Sequence, residues 1–342
     1  MIEITNEKGE KVMNENFTAF VVEKNEDTFI ADYKSLTVND LPEGEVLIKV
    51  EYSSVNYKDG LASIPNGKIV RSYPFVPGID LAGIVEKSED PRFQKGDRVI
   101  ATSYEIGVSH YGGFSEYAKI PAEWVVPLPD GLTLKEAMIY GTAGFTAALS
   151  VHRLEENGVT PEKGKVLVTG ATGGVGSMAV AMLAKRGFEV VASTGKQTEV
   201  DYLHTLGAKE VINRNEIIGE KIKPLDKQIW QAAVDPVGGE SLAAVLSKIQ
   251  YGGSVAVSGL TGGANVPTTV FPFILRGVSL LGIDSVYCPM ELRKTLWKRM
   301  ATDLKPQAAI DSIGVEVSFS ELKDVLSNIL KGRVRGRTVV KV

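Results

Sequence analysis

Chemistry in this 342-residue chain starts from one turn, Thr169-Gly170-Ala171-Thr172-Gly173-Gly174-Val175-Gly176. The apolar β-branched run Val166–Val168 stops in these glycines, and an apolar helical pattern, S-M-A-V-A-M-L-A-K-R-G, follows at once. Glycines let a backbone approach a diphosphate closely, and a helix N-terminus offers it free N–H groups and a positive dipole end. Many strand–helix turns carry glycine for steric reasons alone. Here a strand precedes and a helix follows, which is the context a dinucleotide site requires. The next strand, E-V-V-A-S-T, runs into Ser193-Thr194-Gly195-Lys196 with no Asp or Glu at its tip. An acid there would bond the adenosine ribose hydroxyls and repel a ribose phosphate. Two hydroxyls, a glycine and a lysine make a small phosphate surface instead, and Arg214, after V-I-N-R, would add a bidentate contact. The pattern predicts NADPH as cofactor, against the alternative that Lys196 and Arg214 are solvated surface charges.

Elements on both sides must position this turn. From Phe17 to about Leu134 short alternating runs recur (F-T-A-F-V-V-E, E-V-L-I-K-V-E-Y, D-R-V-I-A-T, F-S-E-Y-A-K-I), separated by turn signals at Pro42-Glu43-Gly44, Pro77-Gly78 and Lys95-Gly96-Asp97. That spacing predicts a small barrel or sandwich. The pattern changes near Lys135 to a long helix, then to strands alternating with helices, which predicts a parallel sheet covered on both faces. The tail from about Met290 reads as two helices and a last strand, R-T-V-V-K-V, able to return to the first region.

Composition narrows the function classes. A net charge of −4 with no basic run argues against nucleic acid or an anionic membrane as partner. The one cysteine, Cys288, cannot form an internal disulfide, which fits a reducing, cytoplasmic setting. The most apolar region, Val255–Ile283, is interrupted by Gly, Pro and Arg276, so no membrane span is expected. The first residues lack the order of a signal peptide, and residues 1–12 read as an extension before Met13 with no role in the chemistry.

These blocks together resemble the medium-chain dehydrogenase/reductase superfamily over nearly all of the chain after Met13. V-N-Y-K-D, P-F-V-P-G-I-D-L-A-G-I-V, K-G-D-R-V, G-G-F-S-E-Y-A, G-T-A-G-F-T-A and A-T-G-G-V-G stand in that superfamily's order. The chain is most similar to its zinc-free quinone oxidoreductase branch, in the YhdH/YhfP, acrylyl-CoA reductase-like group. The T-G-K turn, V-D-P-V-G-G, P-T-T-V-F-P-F-I-L-R-G-V and G-I-D-S-V carry that closer match. The resemblance implies an α/β fold: a Rossmann doubly wound parallel sheet over 137–286, and a GroES-like β-barrel domain from 13–136 and 287–342, with the active site between. It implies a homodimer joined through the apolar edge strand in R-G-V-S-L-L-G-I-D-S-V.

Zinc members of the superfamily hold their catalytic metal with two cysteines and a histidine, and those positions fall on Asn56, Ile79 and Tyr140. Isoleucine offers no donor and the other two are poor zinc ligands. His110, His152 and His204 show no metal spacing, and no metal is expected. Without a Lewis acid, hydride is expected to go to a carbon whose charge delocalises: an enoyl thioester such as acrylyl-CoA, an enone or a quinone. The site then needs a hydrogen-bond donor for the forming enolate and a proton for the α-carbon. Tyr57 is a candidate, since a tyrosine hydroxyl stays protonated at neutral pH. It donates a proton, contacts the nicotinamide, or only packs, and these three readings stay open. Asn56 offers an amide donor to the oxygen. Lys58 and Asp59 read as an ion pair or a solvated turn.

The resemblance also implies the cofactor contacts. Thr172, Gly173, Gly174 and Val175 line the diphosphate turn, while Thr194, Gly195, Lys196 and Arg214 take the adenosine phosphate end. Leu260 and Ile274, which core packing would equally explain, border the nicotinamide; Ser285 bonds near it, and Thr146 reaches its ribose. A last contact falls near Arg333, where K-G-R-V-R-G-R-T is more basic than the asparagine the group often shows. Lys68 and Arg71 could meet the phosphates of a CoA ester or be solvated loop charges. The functional alternative is a non-enzymatic NADPH-binding protein with a redox-sensing or structural role.

Overall fold

A computed structural model describes residues 16–26 and 28–342, and the backbone of the short antiparallel pair Ile4–Thr5 and Lys11–Val12. The remainder of the 1–12 extension lies outside the described residues. Six strands form a parallel sheet in the order Glu210–Asn213, Val190–Thr194, Val166–Val168, Trp230–Asp235, Ile249–Val257, Ser279–Gly282. The order reverses direction between Val166–Val168 and Trp230–Asp235, so a crevice opens at the carboxyl ends of those two strands, beside the glycine turn. Both are buried on both faces, which is why they read as continuous apolar runs and not as alternating ones.

The second sheet is mostly antiparallel and has seven strands. Gly314–Ser318, Arg337–Lys341, Val46–Val55, Asp80–Ser88, Arg98–Thr102 and Val125–Pro127 follow in that order, with Tyr117–Ile120 also paired to Val46–Val55. The hairpin Phe17–Lys24 and Phe29–Leu36 packs over it. The C-terminal strand pairs antiparallel with Val46–Val55, Thr338 facing Val55. Gly314–Ser318 and the short helix Ile310–Ile313 in the tail are elements that the sequence pattern did not predict.

Helix Leu134–Glu156 joins the two sheets. Thr133 caps it, accepting from Glu136 N–H at 3.1 Å while Glu136 accepts from Thr133 N–H at 2.8 Å. Gly141 breaks its regularity with φ +50° and ψ −156°. A side chain there would strain the backbone and would also put its Cβ 2.5 Å from Asp80 Oδ2 and 2.6 Å from an Arg337 nitrogen. Below the kink Phe145, Ala148 and Val151 pack with Met178, Met182, Leu296 and Trp297 in the largest apolar cluster. Among the described residues no helix is long and apolar enough to cross a membrane.

Candidate active site

The glycine turn has the shape of a cradle. Gly170 takes φ +55°, and helix Gly174–Lys185 starts after Gly173. A Cβ at Gly176 would lie 2.3 Å from Gly170 O, so helix and strand approach only because that residue is glycine. A Cβ at Gly173 would meet nothing closer than Gly170 O at 3.4 Å, which leaves the space over this residue open. Thr172 is buried and its carbonyl accepts from Gly336 N–H at 3.0 Å, tying the turn to the C-terminal strand. Val175 packs, half-buried, against the main core.

The next strand tip carries two cations, Lys196 next to Gly195 in the chain and Arg214 packed over Gly195. Thr194 Oγ1 accepts from Lys196 N–H at 2.9 Å, and Lys196 Nζ donates to Val334 O at 3.1 Å. Arg214 opens its helix directly over Gly195: a Cβ on Gly195 would be 2.8 Å from Arg214 Nε. Glu199, the nearest acid along the chain, is paired with Arg335 at 3.1 Å, and Arg335 lies 4.5 Å over the Tyr202 ring. Arg333 is exposed and its side chain bonds nothing; its neighbours Val334 and Arg335 make the contacts to this corner.

The third group sits where strand Val46–Val55 passes into helix Tyr57–Ala62. Asn56 caps this helix, Tyr57 is its first residue, and Tyr57 is 51% exposed with an unbonded hydroxyl. Asn56 Nδ2 donates to Asp80 Oδ2 at 2.8 Å and to Asp59 Oδ2 at 3.2 Å, and its Oδ1 accepts from Arg337 Nη1 at 3.0 Å. Carboxylates on one side and a guanidinium on the other fix the amide orientation. Both amide hydrogens are therefore spent inside the protein, and the donor role expected of Asn56 is not open to it in this arrangement.

Lys58 and Asp59 do not pair. Asp59 is fully buried, accepting from Asn56 N–H at 2.7 Å and Ile79 N–H at 2.9 Å. Burial, and then the neighbouring Asp80 charge, push its carboxyl up to about 7. Asp80 accepts in addition from Ser54 Oγ at 2.7 Å and from the N–H of Thr142, just past the kink, at 2.9 Å. Arg337 also donates to Val55 O, Ser54 Oγ and Ile139 O, and desolvation lowers its pKa.

From Thr142 the polar contacts continue to the nicotinamide-side candidates. Thr146 Oγ1 lies 2.7 Å from Thr142 O and 2.9 Å from Ser285 Oγ. Its single proton serves one of these at a time; when it goes to Ser285, the Ser285 proton is free to point outward. Leu260 and Ile274 are 67% and 69% exposed, so core packing does not account for them. Sequence reasoning missed Asp80, Thr142, Ser54 and Arg337. The available signal was a lone Asp inside the apolar run P-G-I-D-L-A-G and an Arg opening the apolar strand R-T-V-V, charges that burial obliges to find partners.

Comparison with known proteins decides the family. Residues 42–130 match the model of the alcohol dehydrogenase GroES-like domain, and residues 174–302 that of the zinc-binding dehydrogenase family. YhfP of Bacillus subtilis (strain 168), named provisionally as a quinone oxidoreductase, is 62% identical over 96% of this chain and 100% of its own. Its crystal structure with NAD bound superposes with a TM-score of 0.94. Acrylyl-CoA reductase AcuI of Ruegeria pomeroyi is 51% identical over 95% of this chain and 99% of its own. Escherichia coli K-12 YhdH, crystallised with NADPH bound, is 47% identical, covers 95% of this chain and 99% of its own, and has a TM-score of 0.91.

The chain belongs to the medium-chain dehydrogenase/reductase superfamily. It is an oxidoreductase of the quinone oxidoreductase-like group, with a GroES-like domain and a Rossmann-type sheet. The superfamily's zinc positions do not make a ligand set here. Asn56 has its amide committed, Ile79 has no donor atom, and the buried Tyr140 hydroxyl donates to Met300 O at 3.0 Å. Among the described residues no group of three or more His, Cys, Asp or Glu could hold a metal ion.

Proposed function

We propose that this protein is an NADPH-dependent, zinc-independent reductase of conjugated carbonyl acceptors. Acrylyl-CoA or another 2-enoyl thioester is the first substrate class and a quinone the second. Bound NADPH would supply the hydride. Thr172, Gly173, Gly174 and Val175 would hold its diphosphate, and Thr194, Gly195, Lys196 and Arg214 its ribose phosphate, with Arg333 nearby. Leu260, Ile274, Thr146 and Ser285 would flank the nicotinamide. Arg214 packed over Gly195 and Lys196 next in the chain, with Glu199 turned away to Arg335, support the phosphorylated coenzyme.

One observation carries the catalytic reading. Asn56 is saturated by Asp80, Asp59 and Arg337, while the adjacent Tyr57 hydroxyl is exposed and unbonded. The buried knot fixes the corner, and Tyr57 is the donor left free to reach a substrate oxygen or to hand over a proton. An enoyl thioester is supported by the 51% identity to the Ruegeria enzyme named acrylyl-CoA reductase. Arg71, half free with Nη1 3.7 Å from Glu105, and the exposed Lys68 are cations available to a CoA phosphate.

We further propose domains at 13–136 with 287–342, and 137–286, and a cytoplasmic homodimer. Its seam would be the sheet edge Ser279–Gly282, where Leu280 is exposed. The test is NADPH consumption by purified protein with acrylyl-CoA, longer enoyl-CoAs, short enones and simple quinones. High turnover on one thioester with little on quinones establishes the first class, and the reverse the second. NADPH binding with no turnover on any acceptor overturns the reductase reading.

A further inference from the structure

Arg293 is a buried cation with no carboxylate within salt-bridge distance among the described residues. It lies on helix Met290–Ala301 and is 1% exposed. Nη1 donates to Thr102 O at 3.3 Å and Thr102 Oγ1 at 3.2 Å; Nη2 donates to Ser285 O at 2.9 Å and Val286 O at 3.1 Å. All four acceptors are neutral. The guanidinium lies 4.5 Å from the Tyr104 ring centroid and 4.7 Å from that of Phe145, and its Nε has no partner. The acids on the same segments are committed elsewhere. Asp284 is exposed and accepts from the N–H groups of Val286 at 2.8 Å and Tyr287 at 3.3 Å. Glu105 accepts from Tyr287 Oη at 2.6 Å and from Ser109, and faces Arg71. The other deeply buried guanidinium, Arg337, has Asp80. Two aromatic faces and four dipoles solvate Arg293, but they do not neutralise it.

A fixed positive field at Ser285 acts on whatever charge appears beside that residue. We propose that Arg293 makes the site discriminate between coenzyme oxidation states, disfavouring the pyridinium cation of NADP+ relative to the neutral ring of NADPH. This rests on the reading that Ser285 contacts the nicotinamide. A ring touching Ser285 lies within roughly 10 Å of the guanidinium, and at an effective dielectric of about 20 one unit of ring charge then feels a preference of about tenfold or more. The same field favours negative charge on the acceptor oxygen, which offsets its penalty on the ring charge that hydride transfer creates, and it favours release of the oxidised coenzyme.

The test is the ratio of dissociation constants for NADP+ and NADPH, measured on whole protein by fluorescence titration and competition. Wild type is expected to bind NADPH more tightly. Arg293→Met should narrow that ratio about tenfold, while Arg293→Lys, which keeps the charge but not the fork of donors, should stay within about threefold of wild type. A purely structural cross-link predicts the opposite grouping, Lys and Met failing alike. Should the Met variant not fold, Cys288→Asp decides. Cys288 is buried, and burial raises its thiol pKa while the Arg293 charge lowers it, so an ionised carboxylate there offsets the field without removing the guanidinium, and the ratio should narrow again as pH rises through its titration. An unmoved ratio in the folded Met or Asp variant overturns this inference alone. Wild-type protein that binds neither nucleotide overturns the functional reading and this inference with it.

Discussion

The adenosine corner allows a prediction whose size follows from its contacts. Arg214 packs over Gly195, Lys196 follows it in the chain, and no carboxylate among the described residues pairs with either, Glu199 being held by Arg335. A charge-assisted hydrogen bond contributes about 1.5–3 kcal/mol, and at this partly solvated tip the lower end applies. Lys196 must also give up or share its bond to Val334 O, which reduces its net share. Replacing both by alanine should therefore remove about 3 kcal/mol from NADPH binding, roughly a hundredfold in Kd, and each single change about tenfold. NADH lacks the phosphate and should change less than about threefold. The assay is coenzyme fluorescence titration at two ionic strengths. The wild-type preference for NADPH should shrink with salt, and the double variant should have little left to lose. The Bacillus subtilis relative was crystallised with NAD bound, so the comparison with NADH is a demanding one. Equal losses for both coenzymes, or a double variant that still prefers NADPH, would refute the phosphate pocket.

Three further outcomes follow from the same geometry. Tyr57→Phe should lower kcat about a hundredfold with NADPH affinity unchanged, and full turnover by this variant would remove Tyr57 as donor. Asp80→Ala should cost about 3–5 kcal/mol in urea unfolding, because it strands the Arg337 guanidinium in the interior; a loss under about 1 kcal/mol would mean that the buried knot does not hold the corner. Asp59 gives a pH signature. Its folded carboxyl titrates near 7 against about 3.9 unfolded, so the native state holds the extra proton between those values. Its contribution is complete below about pH 4 and is lost as pH rises through 7, by about 4 kcal/mol in all. Asp59→Asn should flatten that part of the stability–pH curve, and an unchanged curve would contradict the buried charge.

The fold was legible because its signals are local. The two central parallel strands are short, fully buried runs that end in a glycine or polar turn, and the period changes at Lys135, one residue inside the helix that bridges the two sheets. The glycine turn was legible for the same reason: strand, glycines and helix are adjacent in sequence. The polar knot was not. Asn56 meets Asp80 across 24 residues and Arg337 across 281, and no periodicity encodes which buried charges will find one another. Arg333 came from the resemblance and stands exposed, while the protein's own contacts at that corner come from Val334 and Arg335, which no local pattern announces. Asp59 looked like part of a solvated turn because three polar residues in a row, Tyr57-Lys58-Asp59, give no clue to which face is buried. The helix that they open turns Tyr57 outward and Asp59 inward.

The knot also bears on why this corner works without a metal, as we propose. In zinc members of the superfamily the ligand positions anchor the metal and, through it, the strand end. Here Ile79 gives its backbone N–H to Asp59, and Asn56 is clamped between two carboxyl groups and one guanidinium. Two carboxyl groups, one of them pushed up to about 7, and one guanidinium, buried together, tolerate few geometries, since each donor lost leaves an acceptor unpaired in a low-dielectric interior. Rigidity is thus supplied by hydrogen bonds from four distant parts of the chain: the end of Val46–Val55, the start of Asp80–Ser88, the kink of helix Leu134–Glu156 and the start of Arg337–Lys341. A knot closed on itself can fix Tyr57 but has no spare charge for a forming enolate. The unpaired cation lies on the other wall, in Arg293 behind Ser285. Positioning and charge are separated between two buried arginines, one paired and one not, so substitution at each should fail in a different observable: folding stability for Arg337, coenzyme oxidation-state preference for Arg293.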